Sequence, residues 1–282
     1  MDVLPILLCL LGSALALPID DAVFEVGPSE LIIGGFPIKQ GQIPMQALAA
    51  FVDKKGNTSS CGGTLISKNH VLTAAHCAVN MKDKVMIMVG SVNIQNVTNA
   101  QWKKVTKIHV HDQYSKDGNY QNDIAILEFS SPVSLNHNVQ LSNVYKNDEE
   151  YLKERNALVA GFGTFKYVKS GPEQSRNLLA AHVTLFPFNY CSRAWHFHSL
   201  KLKKEEHVCA GGDHRGVAPG DNGGPLYVMK PGRLVQIGIT SFGSLLDVIA
   251  HGSQESFPAI FTRVSHYCGY IEKTTKGAAK CK

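Results

Sequence analysis

Between positions 36 and 264 the 282-residue chain reads as short apolar or alternating runs broken by turn residues. The clearest are 45–52, 64–66, 85–89, 105–110 and 124–129, followed by 157–160, 178–185, 226–229, 234–239 and 259–264. Runs this short, with period-two alternation and Gly, Pro, Asn or Asp at their edges, predict strands rather than helices. Only the end carries a helical period: Tyr267, Tyr270 and Ile271 share one face, Ser265 stands where an N-cap would, and the pattern stops before Gly277. Many short strands with one terminal helix predict an all-β fold. No internal repeat, low-complexity tract or linker interrupts the pattern.

Composition narrows the class. With 44% hydrophobic and 18% charged residues, the chain can bury one large core or two modest ones. The net charge of +5 is mild and its cations are spread along the chain, which argues against nucleic acid as a partner. Residues 1–16 read as an export signal: the apolar run 3–11 is too short to span a membrane, and Ala14-Leu15-Ala16 offers small residues before a cut. A basic start to that signal is missing. The prediction is a secreted, extracellular protein with no membrane span. Removing the signal takes Cys9 and leaves six of seven cysteines, an even set that reads as disulfides rather than free-thiol catalysis. Asn57-Thr58-Ser59 and Asn96-Val97-Thr98 are glycosylation acceptors in such a compartment. Residues 17–31 carry Asp20, Asp21, Glu25 and Glu30 and no Lys or Arg, and read as a propeptide.

The chemistry concentrates in Gly220-Asp221-Asn222-Gly223-Gly224-Pro225, a glycine-rich turn of the kind that aims a side chain and two backbone N–H groups at a carbonyl. Upstream lie Ile32-Ile33-Gly34-Gly35, Thr73-Ala74-Ala75-His76-Cys77 and Asn122-Asp123-Ile124-Ala125-Ile126-Leu127. These four motifs, in this order across Ile32 to about Ile271, resemble the chymotrypsin/trypsin-like serine proteases. The resemblance implies two packed six-stranded antiparallel β-barrels with a C-terminal α-helix. Residues 32–141 would form the first barrel, and 142–282 the second barrel and helix, together one peptidase-like domain. It also exposes one departure: Asn222 occupies the position of the attacking serine.

By resemblance, Asp123 would orient His76, His76 would act as general base, and the backbone N–H groups of Gly220 and Asn222 would form the oxyanion hole. Cutting before Ile32 would free an ammonium to pair with Asp221. Leu31 precedes that bond, whereas trypsin-type activation needs Arg or Lys. The specificity pocket would have Gly216 at its base and Gly243 and Ala259 on its walls. It would be open and apolar, suited to Phe, Tyr, Leu or Met. Ser241-Phe242-Gly243 would pair with a substrate backbone as an added strand.

Cys61 with Cys77 and Cys191 with Cys209 match family bridges, while Cys268 and Cys281 remain without family precedent. Two other family bridges have lost both partners: Ala157 and Val228 hold one pair of positions, and Ala218 and the cysteine-free stretch 244–257 the other.

Two functions stay open. One is a non-catalytic binding or regulatory protein engaging a protein or peptide, since Asn222 supplies no hydroxyl. The other is an active endopeptidase of large-apolar specificity. Arg193, His196, His198, Lys201, Lys203 and Lys204 form a basic cluster that an anionic glycan would fit, or a solvated loop. His109-Val110-His111 and His196-Phe197-His198 lack further ligands, and 90–101 lacks the carboxylates of a calcium loop, so no metal or other cofactor is expected.

Overall fold

The structure, a computed structural model, describes residues 32, 34–95, 98, 100–114, 120–168, 171–196, 200–243 and 254–282. The predicted signal at 1–16, the predicted propeptide at 17–31, Asn96 and His198 lie outside the described residues.

Strands β2 (Gln46–Asp53), β3 (Thr58–Ser67), β4 (His70–Thr73), β5 (Met81–Val89), β6 (Gln101–Val110) and β7 (Ala125–Phe129) close an antiparallel barrel in the order β2-β3-β4-β7-β6-β5. The second barrel is built from β8 (Asn156–Gly161), β11 (Leu179–Phe186), β12 (His207–Gly211), β13 (Pro225–Lys230), β14 (Arg233–Phe242) and β15 (Ala259–Arg263), closed by the β11–β8 pairing. A hairpin of β9 (Thr164–Val168) and β10 (Gly171–Gln174) stands apart. Two closed six-stranded antiparallel barrels and a short C-terminal helix are the predicted all-β architecture. Closure suits these sequences because it leaves no row of unpaired strand groups at an edge.

Each barrel fills its interior with its own alternating positions: Ala49, Leu65, Ile87, Ile126 and Phe129 in the first, Val159, Leu226, Ile237 and Phe261 in the second. Leu48 and Met88 of the first barrel meet Leu158, Ala180 and Tyr227 of the second in a separate apolar cluster. Both faces of β8 are thereby covered, which is why Ala157 to Gly161 reads as an unbroken buried run rather than an alternation. A polar contact joins the barrels as well. Thr64 and Ser142 hydroxyls both donate to Gln236 Oε1, at 2.9 and 2.8 Å.

The chain termini cross over. β1 (Phe36–Pro37), grouped by the sequence with the first half, pairs with β11 of the second barrel. The C-terminal helix, which follows the second barrel, packs Tyr267, Cys268 and Ile271 into the core of the first.

Three helical details differ from expectation. Ser265 lies within a 3-10 turn, Val264–Tyr267, and the C-terminal helix begins at Cys268 behind an N-cap, Tyr267, that makes no side-chain hydrogen bond. Two further helices, α1 (Ala75–Ala78) and α2 (Phe188–Ala194), are too short to carry a period; the C-terminal helix is α3 (Cys268–Thr274). All three disulfides form: Cys61–Cys77, Cys191–Cys209 and Cys268–Cys281. Ala157 and Val228, where a family bridge is lost, sit directly opposite each other in the β13–β8 ladder.

Candidate active-site cleft

His76 is carried by α1, directly after β4, and Asp123 lies just before β7, the neighbour of β4 in the sheet. Ladder geometry therefore brings two residues 47 positions apart into contact. The Asp123 carboxylate accepts from the His76 backbone N–H at Oδ1 and from Nδ1 at Oδ2, both at 2.8 Å. A carboxylate only accepts, so in this bond Nδ1 is the donor and Nε2 is the ring nitrogen left for the cleft. Asp123 is fully buried, and the second barrel supplies the rest of its partners. Ser241 Oγ donates to Oδ2 at 2.5 Å, and Thr262 Oγ1 donates to the Asp123 carbonyl at 2.8 Å.

The glycine-rich turn faces this pair across a cleft of about 230 Å³ lined by His76 and Asn222 among others. Its shape is fixed by backbone bonds: Asp221 N–H to Ala218 O, Gly224 N–H to Asp221 O, Gly223 N–H to Thr240 O and Gly62 N–H to Asn222 O. Gly223 adopts φ 78°, and a Cβ there would lie 2.2 Å from Thr73 Oγ1, so only glycine fits. Among the described residues, neither the Gly220 nor the Asn222 N–H meets an acceptor within the chain. Asn222 lines the cleft, and Gly220 stands two positions before it in the same turn. Asn222 presents a carboxamide where a hydroxyl would be needed for acyl transfer.

Asp221 turns away from the cleft into the second barrel. It is buried, and its carboxyl accepts from Gly163 N–H and Ala218 N–H, each at 2.9 Å. Burial outweighs those two donors and pushes its pKa up to about 7. A Cβ at Gly161 would fall 2.1 Å from Asp221 Oδ1, which explains the small residue on β8 at that point. Ile32 is fully buried in the second barrel's core with Val217, but in the uncut chain its nitrogen is an amide, so the Ile32–Asp221 ion pair is confined to a cut form.

The pocket differs from the sequence reading. Gly216 does not line the cleft. Gln254 covers it: a Cβ on Gly216 would sit 1.9 Å from Gln254 Oε1. Gln254 is 3% exposed and clamped to the backbone of Val217, accepting from its N–H at 3.2 Å and donating to its carbonyl at 2.8 Å. The pocket floor is thus a carboxamide, not an open apolar space. Gly243 lines the wall, and Ala259 stands behind it, fully buried with its Cβ 3.6 Å from the position a Gly243 Cβ would take.

Two aromatic residues not singled out by the sequence pack around Phe242, and one of them, Tyr120, lines the cleft. Tyr120 lies edge-on to His76 at 6.0 Å and against Phe242 at 4.8 Å, and Trp195 meets Phe242 edge-on at 5.4 Å. Tyr120 precedes Asp123 by only three positions, which was the available signal.

Elsewhere, the two histidines of the 109–111 pair part company. His109 Nε2 bonds Glu128 at 2.8 Å, while His111 packs on Tyr267 and Tyr270. Among the described residues no cluster of His, Cys, Asp or Glu is arranged to hold a metal, and no helix is long and apolar enough to cross a membrane. In the basic cluster Lys203 is engaged by Glu206 at 2.5 Å. Asn57 is exposed in the turn between β2 and β3, bonded to Asp53.

Comparison with known proteins agrees with this geometry. The family described as Trypsin matches residues 32–271. Chymotrypsin-like elastase family member 1 of Macaca fascicularis is 32% identical over 248 residues, covering 86% of this chain and 89% of that protein. The Homo sapiens protein of the same name is 31% identical over 244 residues, covering 85% and 90%. Chymotrypsin-C of Mus musculus is 31% identical over 264 residues, covering 90% and 92%.

Proposed function

The chain belongs to the trypsin family of chymotrypsin-like serine proteases, and from that premise we propose that it is a secreted member that binds a protein or peptide in its cleft without cutting it. The observation that carries the reading is the company Asn222 keeps. His76 is oriented by Asp123, and two N–H donors are free beside position 222, yet the side chain at that position has no hydroxyl. His76 has no proton to take there. An amide nitrogen has a delocalised lone pair and does not open a peptide carbonyl. In a serine triad, loss of the nucleophile alone lowers turnover on the order of a millionfold.

Binding asks less of the cleft than catalysis does. The free donors can hold a carbonyl, Ser241-Phe242-Gly243 can lie along an extended ligand, and Tyr120 and Phe242 offer apolar contact. Three disulfides support an oxidising, extracellular setting.

A fluorophosphonate probe tests the reading. The processed wild-type protein should remain unlabelled, and Asn222→Ser should gain labelling that His76→Ala abolishes. Specific labelling of wild type would establish the alternative, an active endopeptidase.

A further inference from the structure

We propose that Gln254 decides which side chain the cleft admits, and that the admitted class is short, uncharged and hydrogen-bonding, as in Ser, Thr or Asn. This deepens the reading above and rests on it.

The pocket behind the aromatic rim ends on the Gln254 carboxamide. That side chain fills the space that three glycines leave free. A Cβ would overlap it at Gly216 (1.9 Å from Oε1) and at Gly211 (2.7 Å from its Cβ), and would lie 3.8 Å from Nε2 at Gly243. Swinging it aside would break both of its bonds to Val217, and the backbone that carries it is itself held by the Gln254 N–H bond to Gly212 O at 2.9 Å. The floor is therefore part of the folded barrel rather than a loose flap.

Its chemistry follows from counting hydrogen-bond sites. A carboxamide has two donor hydrogens and two acceptor lone pairs, and Val217 uses one of each. One donor and one acceptor remain for whatever enters the cleft that Gln254 lines. A hydroxyl or carboxamide satisfies both. A Phe or Leu side chain strips water from them and returns no bond, and it also meets a floor where an open pocket would have given it depth. A polar site left unpaired by an apolar ligand discriminates by roughly ten- to a hundredfold. Among the described lining residues there is no carboxylate to pair with Lys or Arg, and His76 is the one group there that could pair with Asp or Glu.

The test uses the full secreted chain and a disulfide-cyclised peptide that presents an extended strand, with its central position varied over Ser, Asn, Leu, Phe and Lys. Binding is read by fluorescence anisotropy, which needs no turnover. Wild type should bind the Ser and Asn peptides at least tenfold tighter than the Leu and Phe peptides. Gln254→Ala should shift preference toward Leu and Phe. Gln254→Glu keeps the shape and the bond from Val217 N–H, and should favour Lys. Circular dichroism confirms that each variant is folded.

A wild-type preference for Phe or Leu, or a ranking unchanged in both variants, overturns the assignment to Gln254. Binding of none of the peptides by any of the three proteins overturns it together with the reading of the cleft as a binding site. Cleavage of the peptides by wild type overturns only the non-catalytic reading, and the ranking then still decides the role of Gln254.

Discussion

Asp221 is an acid held where its charge is unwelcome. In the unfolded chain it titrates near the usual aspartate value of about 4, and in the fold near 7. The folded state therefore keeps a proton that the unfolded state has lost between those values. Stability from this group is full below pH 4, declines as pH rises toward 7, and is flat above it, by a few kcal/mol in all. Urea midpoints of the uncut protein at pH 4 to 8 should show this fall, and Asp221→Asn should flatten it. At this scale the sequence was informative about His76, Asp123 and the turn because each sits inside a contiguous motif. Gln254 was not legible. It lies 32 positions beyond Asn222, and only the folding of the second barrel places its carboxamide over Gly216. Asp221's true neighbours, Gly161 and Gly163, were hidden for the same reason.

Elements owe their positions to a few buried anchors. Arg263 at the end of β15 is 8% exposed and bonds Asp148 through Nε and Nη2, and Glu149 through Nη2 at 2.8 Å. It ties the segment before β8 to the second barrel. The two acids are not equivalent: the Asp148 side chain is 3% exposed and that of Glu149 62%. Asp148→Ala strands a buried guanidinium and should cost about 3 kcal/mol, whereas Glu149→Ala should cost less than about 1 kcal/mol. Chemical denaturation of the two variants separates these outcomes; equal losses would refute the ranking. Strands were legible wherever one face is buried, as in Val183, Thr184 and Leu185 of β11, where exposure alternates. They were missed where the run is short or polar, as in β4 and β12. Ser265 failed as a cap because tertiary contacts on Val264 and Tyr267 draw the chain into a 3-10 turn first.

Across the whole molecule, the exchange of termini matters more than either barrel alone. β1 completes a ladder of the second barrel, and α3 covers the core of the first, with Cys268–Cys281 and the Lys282–Val144 backbone bond holding the tail down. Neither barrel keeps its surface sealed without a piece that lies at the far end of the sequence. Unfolding should therefore be one event. Trp102 reports on the first barrel and Trp195 on the second, so the Trp102→Phe and Trp195→Phe variants give a single fluorophore in each. Their urea transitions should coincide in midpoint; two separated transitions would show independent domains. Hydropathy could not reveal this exchange, because β1 is two residues long and its register with β11, Phe36 opposite Ala180 and Pro37 opposite Leu179, joins distant parts of the chain that no local pattern links.

The bonds around Asp123 carry a lesson for judging dormant enzymes. Its oxygens are gripped by a helix of one half and by hydroxyls from two strands of the other, so it rivets the halves together whether or not anything is hydrolysed. A descendant that had abandoned its chemistry would still lose the bonds to His76 N–H and Ser241 Oγ on replacing this aspartate. An intact acid and imidazole in such a scaffold testify to architecture, and only the atom at position 222 testifies to trade.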